Sequence, residues 1–188
     1  QQQAINYCKW LTNKTNNDPK RVFKKVLIRL PTKAEWKNAA RAYDSDKVYP
    51  WKGYYVRNSK GMFLANFKTI GDENIFLDSN DFPIILKYNR IVKTETNGVK
   101  DSFSYSDFYH NRFEDSYITT HVESYYPNEF GLYNMAGNVS ELLADNKQYI
   151  GGDWSSIAYY LKLNTPTRTL EKPTSTVGFR YVIEVLEF

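Results

Sequence analysis

One domain of mixed helix and strand, with a long irregular middle, is what this sequence predicts, and three features lead there. Ala4, Tyr7, Cys8 and Leu11 recur at helical spacing and give one apolar stripe. Gly178 to Glu187 alternates Phe179, Tyr181, Ile183 and Val185 against Arg180 and Glu184, the pattern of a half-buried strand. Between Asp44 and Asn128 neither period is sustained. A chain of 188 residues suits a single sizeable core.

The elements follow in order. Asn16, Asn17, Asp18 and Pro19 end the first helix. Cys8, on its apolar stripe, reads as a small buried hydrophobe rather than a reactive thiol. Val26-Leu27-Ile28 is a short β-branched run and predicts a strand. Thr32 followed by Glu35 is a capping box, so a helix is expected to start there, to carry Trp36, Ala39 and Ala40, and to end near Tyr43. The irregular stretch contains turn signals at Gly53, Gly61, Gly71, Asn97 and Gly98, and a short helix is expected over 104–113. A tight turn after Phe130 is expected to open into a short helix around Ser140 to Ala144, and Tyr149 to Trp154 into a strand bent at Gly151-Gly152. Arg180, between Phe179 and Tyr181, is expected to be half-buried and paired with Glu141 or Asp145, a role its planar fork suits.

Composition narrows the function. Hydrophobic residues at 41% with 16 Tyr and 11 Phe describe a packed globular chain and argue against disorder. The net charge of +4 is spread along the chain, with Arg21, Lys24 and Lys25 as the densest run, and no nucleic-acid reading element accompanies it. No nucleic-acid partner is therefore expected. The single cysteine excludes an intrachain disulfide and leaves the redox compartment open. No stretch approaches the roughly 20 apolar residues of a membrane span. Gln1-Gln2-Gln3 lacks the basic and apolar regions of a secretory signal, and an opening inside a helical pattern reads as a fragment of a longer protein.

A set of separated motifs then resembles one family. Arg29-Leu30-Pro31-Thr32-Lys33-Ala34-Glu35-Trp36 is similar to RLPTEAEWE, and Tyr49-Pro50-Trp51 to YPW. Phe130 to Glu141 is similar to the FGLYDMAGNVWEW block, Gly151-Gly152-Asp153-Trp154 to RGGSW, and Gly178-Phe179-Arg180 to the closing GFR. In this order they resemble the sulfatase-modifying-factor, or formylglycine-generating-enzyme, domain. The resemblance implies an irregular α+β fold of the C-type-lectin-like kind over residues 1–188. It also implies that the family's N-terminal strand is missing here and that 71–114 is a loop insertion.

The family's oxidases hold Cu(I) on two cysteines just after RGGS, and Cu(I) selects soft thiolates. Counted from Gly151-Gly152, those positions fall on Ser156 and Leu161, and Cys8 lies in a distant helix, so no copper is expected. Related iron-dependent sulfoxide synthases use histidines, but His110 and His121 read as solvated loop residues. Ser155, His121 and Asp153 could be drawn as a triad, yet no nucleophile elbow supports one. Gly151-Gly152 is followed by no phosphate-loop lysine.

Structural calcium is also implied by the resemblance, and calcium seeks about six to eight oxygens. Carried over residue by residue, one site would use Asn134, the carbonyls of Gly137 and Val139, and Glu141. The other would use Asn66, the carbonyl of Phe67, Asp115 and the carbonyl of Tyr117. Without metal, Asn134 and Glu141 would simply cap a turn and a helix.

Gly61 to Phe67, Tyr126-Pro127-Asn128 and Phe130 to Tyr133 further resemble the cysteine-free gliding-motility lipoproteins of bacteria. That implies a non-catalytic structural or binding module of the periplasm or outer membrane, tied to secretion. Its partners would be other envelope proteins, and its lipid anchor would lie outside this sequence. Two other readings stand beside it: an oxidoreductase with altered chemistry, and a carbohydrate-binding module stacking sugars on Tyr54, Tyr55, Tyr125 and Tyr126.

Overall fold

The computed structural model describes residues 1–68, 75–77, 79, 83–85 and 119–188. Helix α1 (Gln2–Asn16) is longer than its apolar stripe foretold and buries Ala4 and Cys8 against strand β1 (Lys25–Arg29). Its polar residues determine how it docks. Thr12 Oγ1 takes the Ile28 N–H at 2.9 Å and shares its single proton between the Cys8 carbonyl at 2.9 Å and the Ile28 carbonyl at 3.2 Å. One turn on, the Asn16 side chain takes the Val26 N–H at 2.8 Å and donates to its carbonyl at 2.9 Å. These two side chains satisfy backbone groups that would otherwise form an open sheet edge. On its opposite side β1 pairs antiparallel with β8 (Val182–Glu187), Ile28 facing Ile183 and Val26 facing Val185.

Helix α2 (Lys33–Arg41) starts at the expected capping box: Thr32 Oγ1 takes the Glu35 N–H, and the Glu35 carboxylate takes the Thr32 N–H at 2.8 Å. The helix stops at Arg41, and Asn128 donates to the Ala39 carbonyl at 2.7 Å, tying a distant loop to its last turn. Trp36 and Ala40 are buried with Met135, Leu143, Ile150 and Leu163 in a second cluster. A third gathers Tyr49, Ala65, Phe67, Ala136 and Leu161.

Among the described residues of the middle, β2 (Ile75–Leu77) and β3 (Pro83–Ile85) form an antiparallel pair. The helix expected over 104–113 and the turns expected at Gly71, Asn97 and Gly98 lie outside the described residues, as does most of the segment 71–114 expected to be an insertion. A four-stranded sheet then runs β6-β5-β4-β7, from β4 (Ser140–Leu142), β5 (Gln148–Ile150), β6 (Arg168–Thr169) and β7 (Val177–Gly178). The β4/β7 contact is parallel and the other two are antiparallel.

The expected helix at Ser140 to Ala144 is therefore wrong. Ser140–Leu142 are a central strand hydrogen-bonded on both sides and buried at every position, a burial pattern without the polar alternation that marks a strand in sequence, and Ala144 lies beyond it, exposed. The C-terminal strand also differs. Its ladder begins at Val182, and Phe179, Tyr181 and Ile183 are exposed, so the alternation recorded an apolar surface.

Gly137 shows why one turn needs glycine. It has φ of 78°, and an added Cβ would lie 2.5 Å from the Asn66 carbonyl oxygen.

Glu35 ties α2 to the first sheet, because Arg29 clamps its carboxylate with Nη1 and Nη2 at 2.8 Å each and reaches Glu184 with Nε at 3.1 Å. The Arg29 fork, followed by the Thr32 N–H, lowers the Glu35 carboxyl from its ordinary 4.5 to about 2. A depressed carboxyl stabilises the fold fully above its unfolded value and loses that contribution as pH falls through the folded one. Acid should therefore lower the melting temperature between pH 4.5 and about 2, and Glu35→Gln should flatten that part of the profile. Thermal melts of both proteins across this range provide the check, and equal slopes would refute the assignment.

Candidate functional site

The turn from Phe130 to Val139, the strand β4 and the Gly151-Gly152 bend meet at one carboxylate. Glu141 is buried and accepts from Trp36 Nε1 and Arg180 Nε on Oε2 and from Arg180 Nη2 on Oε1, each at 2.6 Å. Arg180 Nη2 also reaches the carbonyls of Tyr133 at 3.0 Å and Asn134 at 3.4 Å. Burial alone would lower the Arg180 guanidinium, but the adjacent Glu141 carboxylate more than reverses this and raises it. Of the two partners expected for Arg180, the structure selects Glu141.

Asn134 occupies the left-handed region at φ of 49°, its Nδ2 donating to the Val122 carbonyl at 2.8 Å and the His121 carbonyl at 3.4 Å. Its Oδ1 is buried and accepts no hydrogen bond from the described residues. Nearby, the Asn138 side chain brackets Thr120, accepting its N–H at 2.8 Å and donating to its carbonyl at 3.2 Å. Asn138 N–H bonds the Asn66 carbonyl at 2.7 Å, and the buried Asn66 amide reaches Asn138 Oδ1 at 3.4 Å. The structure thus brings Asn66 beside Gly137 and Asn138, while Phe67 is buried in the third cluster. Asp115 and Tyr117 lie outside the described residues.

Ser156 and Leu161, the two positions that the resemblance matches to cysteines, are both buried. Leu161 is 1% exposed, within the cluster of Tyr49 and Phe67. Gly152, at φ of 69°, lies so close that an added Cβ would stand 2.9 Å from Leu161 Cδ2. Ser156 is buried, and its Oγ accepts from Arg168 Nη2 at 3.2 Å. Cys8 sits in the first cluster, where burial raises its thiol. Among the described residues the Nδ1 of His121 accepts the local Glu123 N–H, at 3.3 Å, and His110 lies outside them. Among the described residues no three His, Cys, Asp or Glu side chains group as metal ligands.

Sequence reasoning missed Arg168. It lies on β6, and its Nη2 meets Ser140 Oγ at 2.9 Å, Asp153 Oδ2 at 3.0 Å and Ser156 Oγ. Residue by residue, Ser140 and Asp153 stand where the quoted motifs carry Trp and Ser. Those departures were the available signal, but nothing local tied them to residue 168. Of the tyrosines considered for stacking, Tyr54, Tyr55 and Tyr126 are largely exposed and Tyr125 is half-buried.

A glycine-bent, loop-rich core locked by a tryptophan–glutamate–arginine cluster defines a class of fold, and comparison with known proteins gives its family. The chain belongs to the FGE-sulfatase family: the sulfatase-modifying factor enzyme 1-like domain matches over residues 1–83 and 79–185. It is 30% identical over 127 residues to a formylglycine-generating enzyme of Thermomonospora curvata, covering 67% of this chain and 29% of that protein. The chain thus spans less than a third of the length of that relative. Among solved structures it is similar to PvdO from Pseudomonas aeruginosa, with a TM-score of 0.56 and 20% identity over 97% of this chain and 59% of that one. It also matches the Treponema denticola variable protein 1, with a TM-score of 0.49 and 20% identity over 84% of this chain and 48% of that one.

Removing one partner of a buried ion pair leaves the other uncompensated, at a cost of about 3–5 kcal/mol. Glu141→Ala should destabilise the chain by about that amount, read from urea unfolding, because both Arg180 and the Trp36 indole lose their acceptor. A loss below about 1 kcal/mol would show that the cluster is not structural.

Proposed function

We propose that this chain is a non-catalytic binding or structural module of the bacterial cell envelope, on a C-type-lectin-like frame, working through contacts with other envelope proteins. The observation that carries the non-catalytic part is Leu161. The position that would supply the second sulfur is a hydrocarbon side chain buried in the core. A serine hydroxyl at the first position is a hard, weak ligand for a soft metal. The resemblance of the Gly61 to Phe67 and Phe130 to Tyr133 segments to gliding-motility lipoproteins supports an envelope setting. No helix among the described residues is long and apolar enough to cross a membrane, and attachment through a lipid anchor is part of the same reading.

Purified protein incubated with Cu(I), oxygen and a thiol-bearing peptide should neither retain stoichiometric copper nor consume oxygen in proportion to thiol. Retained copper with turnover of the peptide would overturn the reading.

Calcium is proposed as a structural ion at the Phe130 to Glu141 turn. The unpartnered Oδ1 of Asn134 supports it, and Glu141 Oε1 accepts only one of the hydrogen bonds above, leaving room for a further ligand contact. Asn134, Glu141 and the carbonyls of Gly137 and Val139 would hold the ion, which would supply cross-linking of the turn and no redox chemistry. Arg180 would then act as the partner that orients the ligating carboxylate. The companion proposal at Asn66, Phe67, Asp115 and Tyr117 rests on the resemblance alone. Calcium should raise the melting temperature of the wild type and leave Asn134→Ala unchanged; identical melting with calcium and with chelator would exclude the first site.

A further inference from the structure

The side chain of Arg168 has more hydrogen-bonding capacity than the fold uses. An arginine carries five N–H donors. Its Nη2 satisfies Asp153, Ser140 and Ser156, while Nε and Nη1 meet no acceptor among the described residues. Those two nitrogens are not sealed from water, since the buried unpartnered polar atoms are Arg41 Nε and Asn134 Oδ1, and the Arg168 side chain is 30% exposed.

Asp153 does not need the rest of the guanidinium. Its Oδ1 accepts from the Ser155 N–H at 3.1 Å and hydroxyl at 2.7 Å, and its Oδ2 accepts from Ser140 Oγ at 2.8 Å and Arg168 Nη2. A lysine could neutralise such a carboxylate. What lysine could not offer is a planar cation with spare edge donors held against aromatic rings.

Here the rings are in place. The guanidinium carbon lies 4.4 Å from the centroid of Tyr160 and 4.8 Å from that of Tyr149, its register partner on β5. Tyrosine faces stacked on a guanidinium fix its plane and leave its N–H edges as the polar approach. Tyr160 belongs to the 3-10 turn Ala158–Leu161 and packs edge-on against Tyr159. Lys162, exposed and 5.8 Å from the Tyr159 ring, directly follows this turn in sequence. A fixed cation with spare N–H donors suits an anionic oxygen ligand.

We infer that Arg168, oriented by Tyr149, Tyr160 and Asp153, anchors a carboxylate-binding site on the face formed by β6 and the 3-10 turn. The ligand is a peptide carboxylate, from either an acidic side chain or a chain terminus. The site uses no copper chemistry and does not depend on the envelope reading.

The Arg168 Nε–H gives its own signal in the nitrogen–proton correlation spectrum, so ligand contact can be read at the atom. The folded chain would be titrated with acetyl-glutamate amide, which offers a side-chain carboxylate, and with acetyl-glycine, which offers a terminal one. Neutral acetyl-glutamine amide and sodium sulfate at matched ionic strength serve as controls. One or both carboxylates should shift the Nε–H signal saturably, and the stronger of the two identifies the source. Arg168→Lys, which keeps a cation on Asp153, should abolish carboxylate-induced shifts at neighbouring backbone amides. Tyr160→Leu, which touches none of the Asp153 hydrogen bonds, should weaken the response about tenfold, on the order of one charge-assisted hydrogen bond. The inference fails if the wild-type Nε–H signal is unmoved at millimolar carboxylate, or if sulfate or the neutral amide moves it as strongly.

Discussion

The Glu141 carboxylate is where the separate parts of this chain are made to agree. Trp36 reaches it from α2, Arg180 reaches it from the segment between β7 and β8, and Glu141 itself sits on the central strand β4. Few regular elements are present to enforce register, so three charge-assisted hydrogen bonds into one buried group do that work instead. Each such bond contributes roughly 1.5–3 kcal/mol when its geometry is good. The same guanidinium holds the carbonyls of Tyr133 and Asn134, which carries the constraint into the turn where the orphaned Asn134 Oδ1 lies. The second cluster then closes around Trp36, with Ile150 opposite Glu141 in the strand pair and Leu143 just after β4.

A second polar centre stands on the other side of β4 and β5. Asp153, almost wholly buried, joins Ser140, Ser155 and Arg168, and Ser156 completes the set. Burying a carboxylate this deeply is tolerable only because every one of its contacts is a hydrogen bond. Ser156 thus belongs to a salt-bridged cluster, while Leu161 is buried in the third apolar cluster.

What the sequence revealed, and what it hid, follows the range of each interaction. The capping box at Thr32 and Glu35 was legible because its partners are three residues apart. Cys8 was legible because helical periodicity reports one face directly. Arg180 could be given a carboxylate partner from its setting between two aromatics, yet only the fold distinguishes Glu141 from Asp145. The strand β4 was misread because Ser140, Glu141 and Leu142 are all buried, so no alternation survives to announce a strand. Arg168 was invisible for another reason: its partners lie 12, 15 and 28 residues away and are ordinary polar residues in isolation.

The way Thr12 and Asn16 engage β1 gives the first sheet a handedness of growth. With the Val26 and Ile28 backbone groups already occupied by helix side chains, the β1 flank cannot recruit another strand without stripping α1 away. Among the described residues β8 has no second strand partner, so lengthening of that ribbon would start on the β8 flank. There Glu187 places negative charge beside Leu186 and Phe188, while Glu184 is held by Arg29, and a charge on a sheet edge is a standard brake on uncontrolled stacking.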